Sequence, residues 1–140
     1  MGQSKRQLIL DYIKTRLSGL SALKHVELNR VTPVDLETTP YPCVFVYSGT
    51  EVRLTDDRAV IGQENWQWNI TLEVWAKDDT DLEDLLRVIH EEMYNHYTLD
   101  GNAVYSVRIG SDMFTVDPSR YLKGMTVDYM VIYRHEKGIM

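Results

Sequence analysis

The chain has 140 residues, enough for one ordinary domain, and its composition (44% hydrophobic, 26% charged) supplies a core without disulfides. A net charge of −6 with no Lys/Arg cluster excludes avid sequence-independent DNA binding, which needs basic side chains to displace phosphate counterions. No stretch approaches the roughly 18 apolar residues of a membrane span, and the single cysteine, Cys43, excludes an internal disulfide.

The charge is uneven. Residues 1–40 carry +2, residues 41–100 carry −9 and residues 101–140 carry +1. An acidic surface repels phosphate, which suits a protein that lies near DNA without holding it. At the N-terminus, Asp11, Lys14 and Arg16 interrupt any apolar run, so no signal peptide is expected. Arg6 stands where a myristoylation start wants Ser or Thr.

In chain order, the first predicted helix spans Gln3 to Leu20. Leu8, Ile9, Tyr12, Ile13, Leu17 and Leu20 form one stripe at three- and four-residue spacing. Ser4 with Gln7 fits a capping box, and Gly19 is a stop. A short strand follows at Lys24 to Asn29, with Val26 and Leu28 on one side. Pro33, Pro40 and Pro42 keep a central strand out of the segment from Arg30 to Pro42.

The second strand is Cys43 to Tyr47, rich in β-branched and aromatic residues. Ser48-Gly49 reads as a turn or bulge, Glu51 to Thr55 as an extended arm, and Asp56-Asp57-Arg58 as a hairpin tip, with the return starting at Ala59 to Gln63. From Trp66 to Ala76 apolar and polar residues alternate over eleven positions, a strand with one buried face. A second helix is expected from Asp81 to Tyr97, with Leu82, Leu85, Leu86, Ile89 and Met93 as its stripe and Thr80 with Glu83 as a capping box. Asp100-Gly101 makes a turn. Strands at Val104 to Ile109 and Met125 to Tyr133 close the fold, joined through a turn at Asp117-Pro118-Ser119-Arg120. The reading is one α+β domain over residues 1–140. It is a two-layer sandwich with a mixed or mainly antiparallel sheet, both helices on one face, and a protruding β-hairpin.

Reactive constellations are sparse. His25, His90, His96 and His135 lack metal-ligand spacing, and no metal site or cofactor is expected. The acidic run Asp78, Asp79, Asp81, Glu83, Asp84 lacks the glycine of a calcium loop and reads as a helix N-terminus. Phosphate-loop and nucleophile-elbow motifs are absent. Cys43 lies in an apolar run and reads as a core residue. No catalytic residue is assigned, and the chain is read as a non-enzyme. The candidate interface residues are Arg53, Thr55, Asp56, Asp57, Arg58, Val60 and Ile61 on the arm. Trp75 joins them because it lies among polar neighbours on the strand face opposite Trp66 and Trp68, where the alternative is a second packed layer.

The order and pattern of elements resemble the phage tail-terminator and tail-completion proteins, the group that includes minor tail protein U. The residues that carry the resemblance are the opening helix Ser4 to Leu20, the segment Thr39-Pro40-Tyr41-Pro42-Cys43-Val44-Phe45-Val46, and the strand Trp68 to Ala76. The helix Leu82 to Tyr97 and the closing strand Val127 to Tyr133 complete it. The resemblance implies a homohexameric ring that caps the tail tube, with the tail tube protein and the head–tail connector or stopper protein as partners. It further implies DNA passing through the lumen without specific binding, and a place in the virion tail or neck after assembly in the host cytoplasm. The alternatives are another neck or head–tail joining protein, or a small α+β enzyme or ligand-binding domain, which would present a concave pocket with convergent polar groups.

Overall fold

The structure is a computed structural model that describes residues 4–30, 40–54, 63–117 and 122–136. Helix α1 (Lys5–Ser18) is followed by strands β1 (His25–Leu28), β2 (Cys43–Arg53) and β3 (Gln63–Ala76), helix α2 (Asp79–Asn95), and strands β4 (Tyr105–Asp117) and β5 (Leu122–Glu136). The five strands form one sheet in the order β1-β2-β3-β5-β4. The β1–β2 pair is parallel and the other three pairs are antiparallel, so the sheet is mixed. The fold is α+β, as the sequence pattern implies.

Period-two alternation decides which face is buried. On β3, Trp68, Ile70, Leu72, Val74 and Ala76 are buried, and on β5 Val127, Tyr129, Val131 and Tyr133 lie beside them. Ile9, Ile13 and Leu17 of α1 and Leu82, Leu85, Ile89 and Met93 of α2 join the same cluster, which puts both helices on one sheet face. Trp66, Val26, Leu28 and Met125 pack at its margin.

The helix ends are set by local chemistry. Ser4 and Gln7 form the expected capping box at α1, and the Gly19 N–H is held by carbonyls of the last turn. The α2 start differs from expectation. The Asp78 carboxylate accepts the Asp81 N–H at 2.7 Å, so the helix begins at Asp79 and Thr80 lies inside it. Asp78 outcompetes Thr80 because a carboxylate is the stronger acceptor at the positive end of the helix dipole. The two helices are tied near their C-terminal ends. Arg16 Nε donates to Glu92 Oε1 at 2.7 Å, and Arg16 Nη2 lies 2.8 Å from His96 Nε2. Guanidinium has only donors, so this His96 nitrogen accepts, and the ring's Nδ1–H faces the Tyr12 hydroxyl at 3.3 Å.

Strands β2, β4 and β5 run longer than their apolar cores, because pairing with a neighbour carries each into polar sequence. Strand β2 continues to Arg53 through a register shift between Ser48 and Glu51, at the Ser48-Gly49 position expected to turn or bulge. There β2 passes so close to β3 that a Cβ on Gly49 would lie 2.8 Å from the Asn69 carbonyl oxygen. The described part of the arm is three-stranded rather than a lone hairpin: Arg53 pairs with Trp66, and Trp66 pairs with Tyr133 of β5. The tip, residues 55–62, lies outside the described residues, as does the turn expected at Asp117 to Arg120 beyond Asp117.

Gly49→Ala is therefore expected to destabilise the fold by about 1–3 kcal/mol, the range for a side chain forced into filled space. Urea unfolding reads this as a lower midpoint at constant slope. An unchanged midpoint would show that β2 and β3 separate there at no cost.

Candidate assembly interface

A five-stranded open sheet has two edges, and the order of the strands puts β1 on one and β4 on the other. The β4 edge is the more apolar. Tyr105 is 40% exposed, Val107 43%, Ile109 53% and Met113 53%, and Val104 just before the strand is 43% exposed. From the helix layer α2 adds Tyr94 and, just past its end, Tyr97, at 72% and 51% exposed. A long edge strand with apolar side chains and open backbone groups is a template for association.

Between α2 and β4 lies a groove of about 440 Å³ lined by His90, Met93, Tyr94, Tyr97, Ser106, Val107, Arg108 and Tyr129. The Ser106 hydroxyl donates to the Tyr97 carbonyl at 3.0 Å, which ties the groove's two walls together. Tyr129 is 2% exposed, and its buried hydroxyl has no hydrogen-bond partner among the described residues. Burial pushes this phenol up to about 12, against a small opposing effect of Arg108. A buried hydroxyl without a partner costs free energy.

On the other side of α2, Ala22, Pro42, Asp81, Asp84, Leu85 and Val88 line a shallower groove of about 250 Å³. Ala22 precedes β1 and Pro42 immediately precedes β2, so this groove belongs to the flank opposite β4. Its carboxylates sit near the N-terminus of α2, where the helix dipole favours negative charge.

The sheet face away from the helices carries a second, smaller cluster of Cys43, Phe45 and Trp75, with Tyr41 and Tyr47 packed against it. Trp75 stacks on Tyr41, meets Phe45 edge-on and donates its Nε1–H to Glu73 at 2.7 Å. It is 6% exposed, so within one chain it forms the second packed layer. Arg30 lies over the Phe45 ring at 5.9 Å and donates to Glu27 at 2.9 Å. The hydrogen bond from His25 to Glu27 at 3.1 Å, together with Arg30, holds the Glu27 carboxyl below its ordinary value. Burial pushes the Cys43 thiol up to about 12, with Glu73 and Glu27 adding to the shift, so this sulfur is a core atom at neutral pH. Among the described residues, no three His, Cys, Asp or Glu side chains gather in a metal-binding group, and no helix is long and apolar enough to cross a membrane.

Of the interface residues expected from sequence, Arg53 is an exposed residue at the end of β2. Thr55, Asp56, Asp57, Arg58, Val60 and Ile61 lie outside the described residues. Sequence reasoning missed the β4 flank. The available signal was Tyr94, a large aromatic off the apolar stripe of the second helix, followed soon after by an apolar strand.

No protein-family model matches the sequence. No curated protein matches it either. Among solved structures, the chain is similar to a component of the virion of a native gene transfer agent particle, at 11% identity and a TM-score of 0.46, covering 94% of this chain and 92% of that one. A likeness at that level bears on neither function nor partners.

Two outcomes are expected. Tyr129→Phe should leave the urea midpoint unchanged or raise stability by up to about 1 kcal/mol, because it removes an unpartnered buried hydroxyl; a loss of about 2 kcal/mol would mean that the hydroxyl has a partner in the folded chain. Stability should also fall in alkali. The Cys43 thiol ionises near 9.0 when unperturbed and at about 12 in the fold, so the unfolded chain loses its proton first. This contribution is complete below pH 9.0 and lost as the pH rises toward about 12. Cys43→Ala should make the alkaline loss shallower, and an identical pH profile would refute the assignment.

Proposed function

We propose that this chain is a structural virion protein, the terminator of a phage-type tail. Six copies close into a ring that caps the tail tube and offers the head-side connector a docking surface, while DNA passes through the lumen. The observation that carries the reading is the β4 flank. An edge strand with Tyr105, Val107, Ile109 and Met113 exposed, flanked by Tyr94 and Tyr97, is surface that a second chain would cover. A cyclic ring needs two different complementary patches on each subunit. The sheet order supplies two unlike flanks, one apolar at β4 and one acidic beside Ala22 and Pro42. The order of elements that resembles the tail-terminator group supports the same reading. So does the acidic middle segment, because a lumen poor in positive charge lets DNA slide.

In this reading the protein is not an enzyme, works in the tail or neck, and partners the tube and connector proteins. The arm residues Arg53, Thr55, Asp56, Asp57, Arg58, Val60 and Ile61 reach a neighbouring subunit or the tube. The second reading is a small ligand-binding domain, favoured by one observation: a groove of about 440 Å³ with Arg108 and His90 in its lining falls within the size range of small-molecule sites.

Mass measurement in solution, alone and with the tail tube protein, separates the two. The terminator reading expects rings of six, either free or formed on tubes. A chain that stays monomeric beside its tube contradicts it. Replacing Asp56, Asp57 and Arg58 with glycine and serine is expected to impair ring formation and leave the unfolding midpoint in place; unchanged assembly would remove the arm from the interface.

A further inference from the structure

We propose that the groove between α2 and β4 of one copy receives the acidic flank of the next, with Arg108 facing Asp81 and Asp84 across the contact. The inference rests on the ring reading and names the surfaces that would build it.

Three observations converge. First, the charges are complementary. Among the described residues neither Arg108 nor the carboxylates of Asp81 and Asp84 has an ion-pair partner within the chain. Second, each charge sits in apolar surroundings. Met93, Tyr94, Tyr97 and Val107 surround the Arg108 groove, and Ala22, Pro42, Leu85 and Val88 surround the two aspartates. Apolar surface beside an opposed charge pair excludes water on docking, and the pair then fixes register and suppresses wrong partners. Third, the two surfaces lie on opposite flanks. One follows β4 and the other lies where the chain enters β1 and β2. Along α2 itself, Asp84 and Tyr94 are about 15 Å apart at the rise of an α-helix. Patches placed on opposite flanks make a head-to-tail contact between copies, the kind that closes a ring.

A non-self partner fits less well. Nothing in the groove selects a cofactor, and the only requirement its chemistry states is an acidic, partly apolar surface, which the chain itself carries on the other flank.

The test places one cysteine on each side. In the double variant Asp84→Cys with Arg108→Cys, mild oxidation should join neighbouring copies into a ladder on denaturing gels, running from dimer upward. Either single variant should give at most dimers. Native Cys43 is buried and should not contribute. Charge reversal provides the second arm. Arg108→Glu alone and Asp81→Arg with Asp84→Arg should each weaken association at least tenfold, and the triple variant should restore it, although the two arginines at the start of α2 lower the unfolding midpoint slightly and equally in the double and triple variants. Rings of six without a ladder and without rescue would overturn these surfaces and leave the terminator reading standing. A ladder and rescue with a different copy number would support the surfaces and overturn the terminator reading. Absence of any multimer, with or without tubes, would overturn both.

Discussion

Strand β3 is the constraint on which the rest of the molecule depends. It pairs on both sides, with β2 and with β5, and its even-numbered residues from Trp68 to Ala76 are buried under the two helices. A slip of one residue in its register would turn this row outward and bring Gln67, Asn69, Thr71 and Glu73 under the helices. Because the register is held from both neighbours, the order of the strands follows, and so do the edges. Strand β1 docks in parallel beyond β2, and β4 docks beyond β5. The two flanks available for association are fixed by a strand that touches neither of them.

The contacts between the layers make those flanks rigid enough to recognise a partner. Arg16 ties α1 to Glu92 and His96 of α2, and Arg6 both pairs with Glu51 at 3.0 Å and lies over the Trp68 ring at 5.9 Å. These bonds are partly exposed, and each is worth little by itself. Their effect is positional: Arg6 holds α1 on the sheet, Arg16 holds α2 to α1, and α2 forms a wall of both grooves. On the other sheet face, Trp75, Phe45 and Tyr41 pack as a second layer, so the aromatic that looked available for a partner is already used within the chain.

Much of the fold was legible in the sequence because burial writes a period into it. The eleven-residue alternation on β3 and the stripes of both helices located the core, and the Ser4–Gln7 box located the start of α1. Boundaries were less legible. Strand β4 continues past Ile109 because its bonds to β5 carry it through Gly110, Ser111 and Asp112, residues with weak strand character, and no local pattern reports a partner strand. The start of α2 was misplaced because Asp78 and Thr80 both cap well in isolation, and the choice depends on where the chain leaves β3. The candidate interface was legible only in part. Tyr94 stands off the helix stripe, which marks it as exposed, whereas Tyr97 continues the stripe four residues after Met93 and is exposed because α2 ends at Asn95. That Arg108 and Tyr129 come together under them is a consequence of the β4–β5 register, which pairs these two residues directly and is not written in either segment.

The central claim is that the β4 flank is the surface a neighbouring copy covers. Amide hydrogen exchange along β4, compared between the isolated chain and the assembled ring, tests it most directly. The account expects the outward-facing amides from Tyr105 to Met113 to exchange quickly in the isolated chain and to become strongly protected on assembly, with β3 protected in both. Equal exchange along β4 in the two states would contradict it.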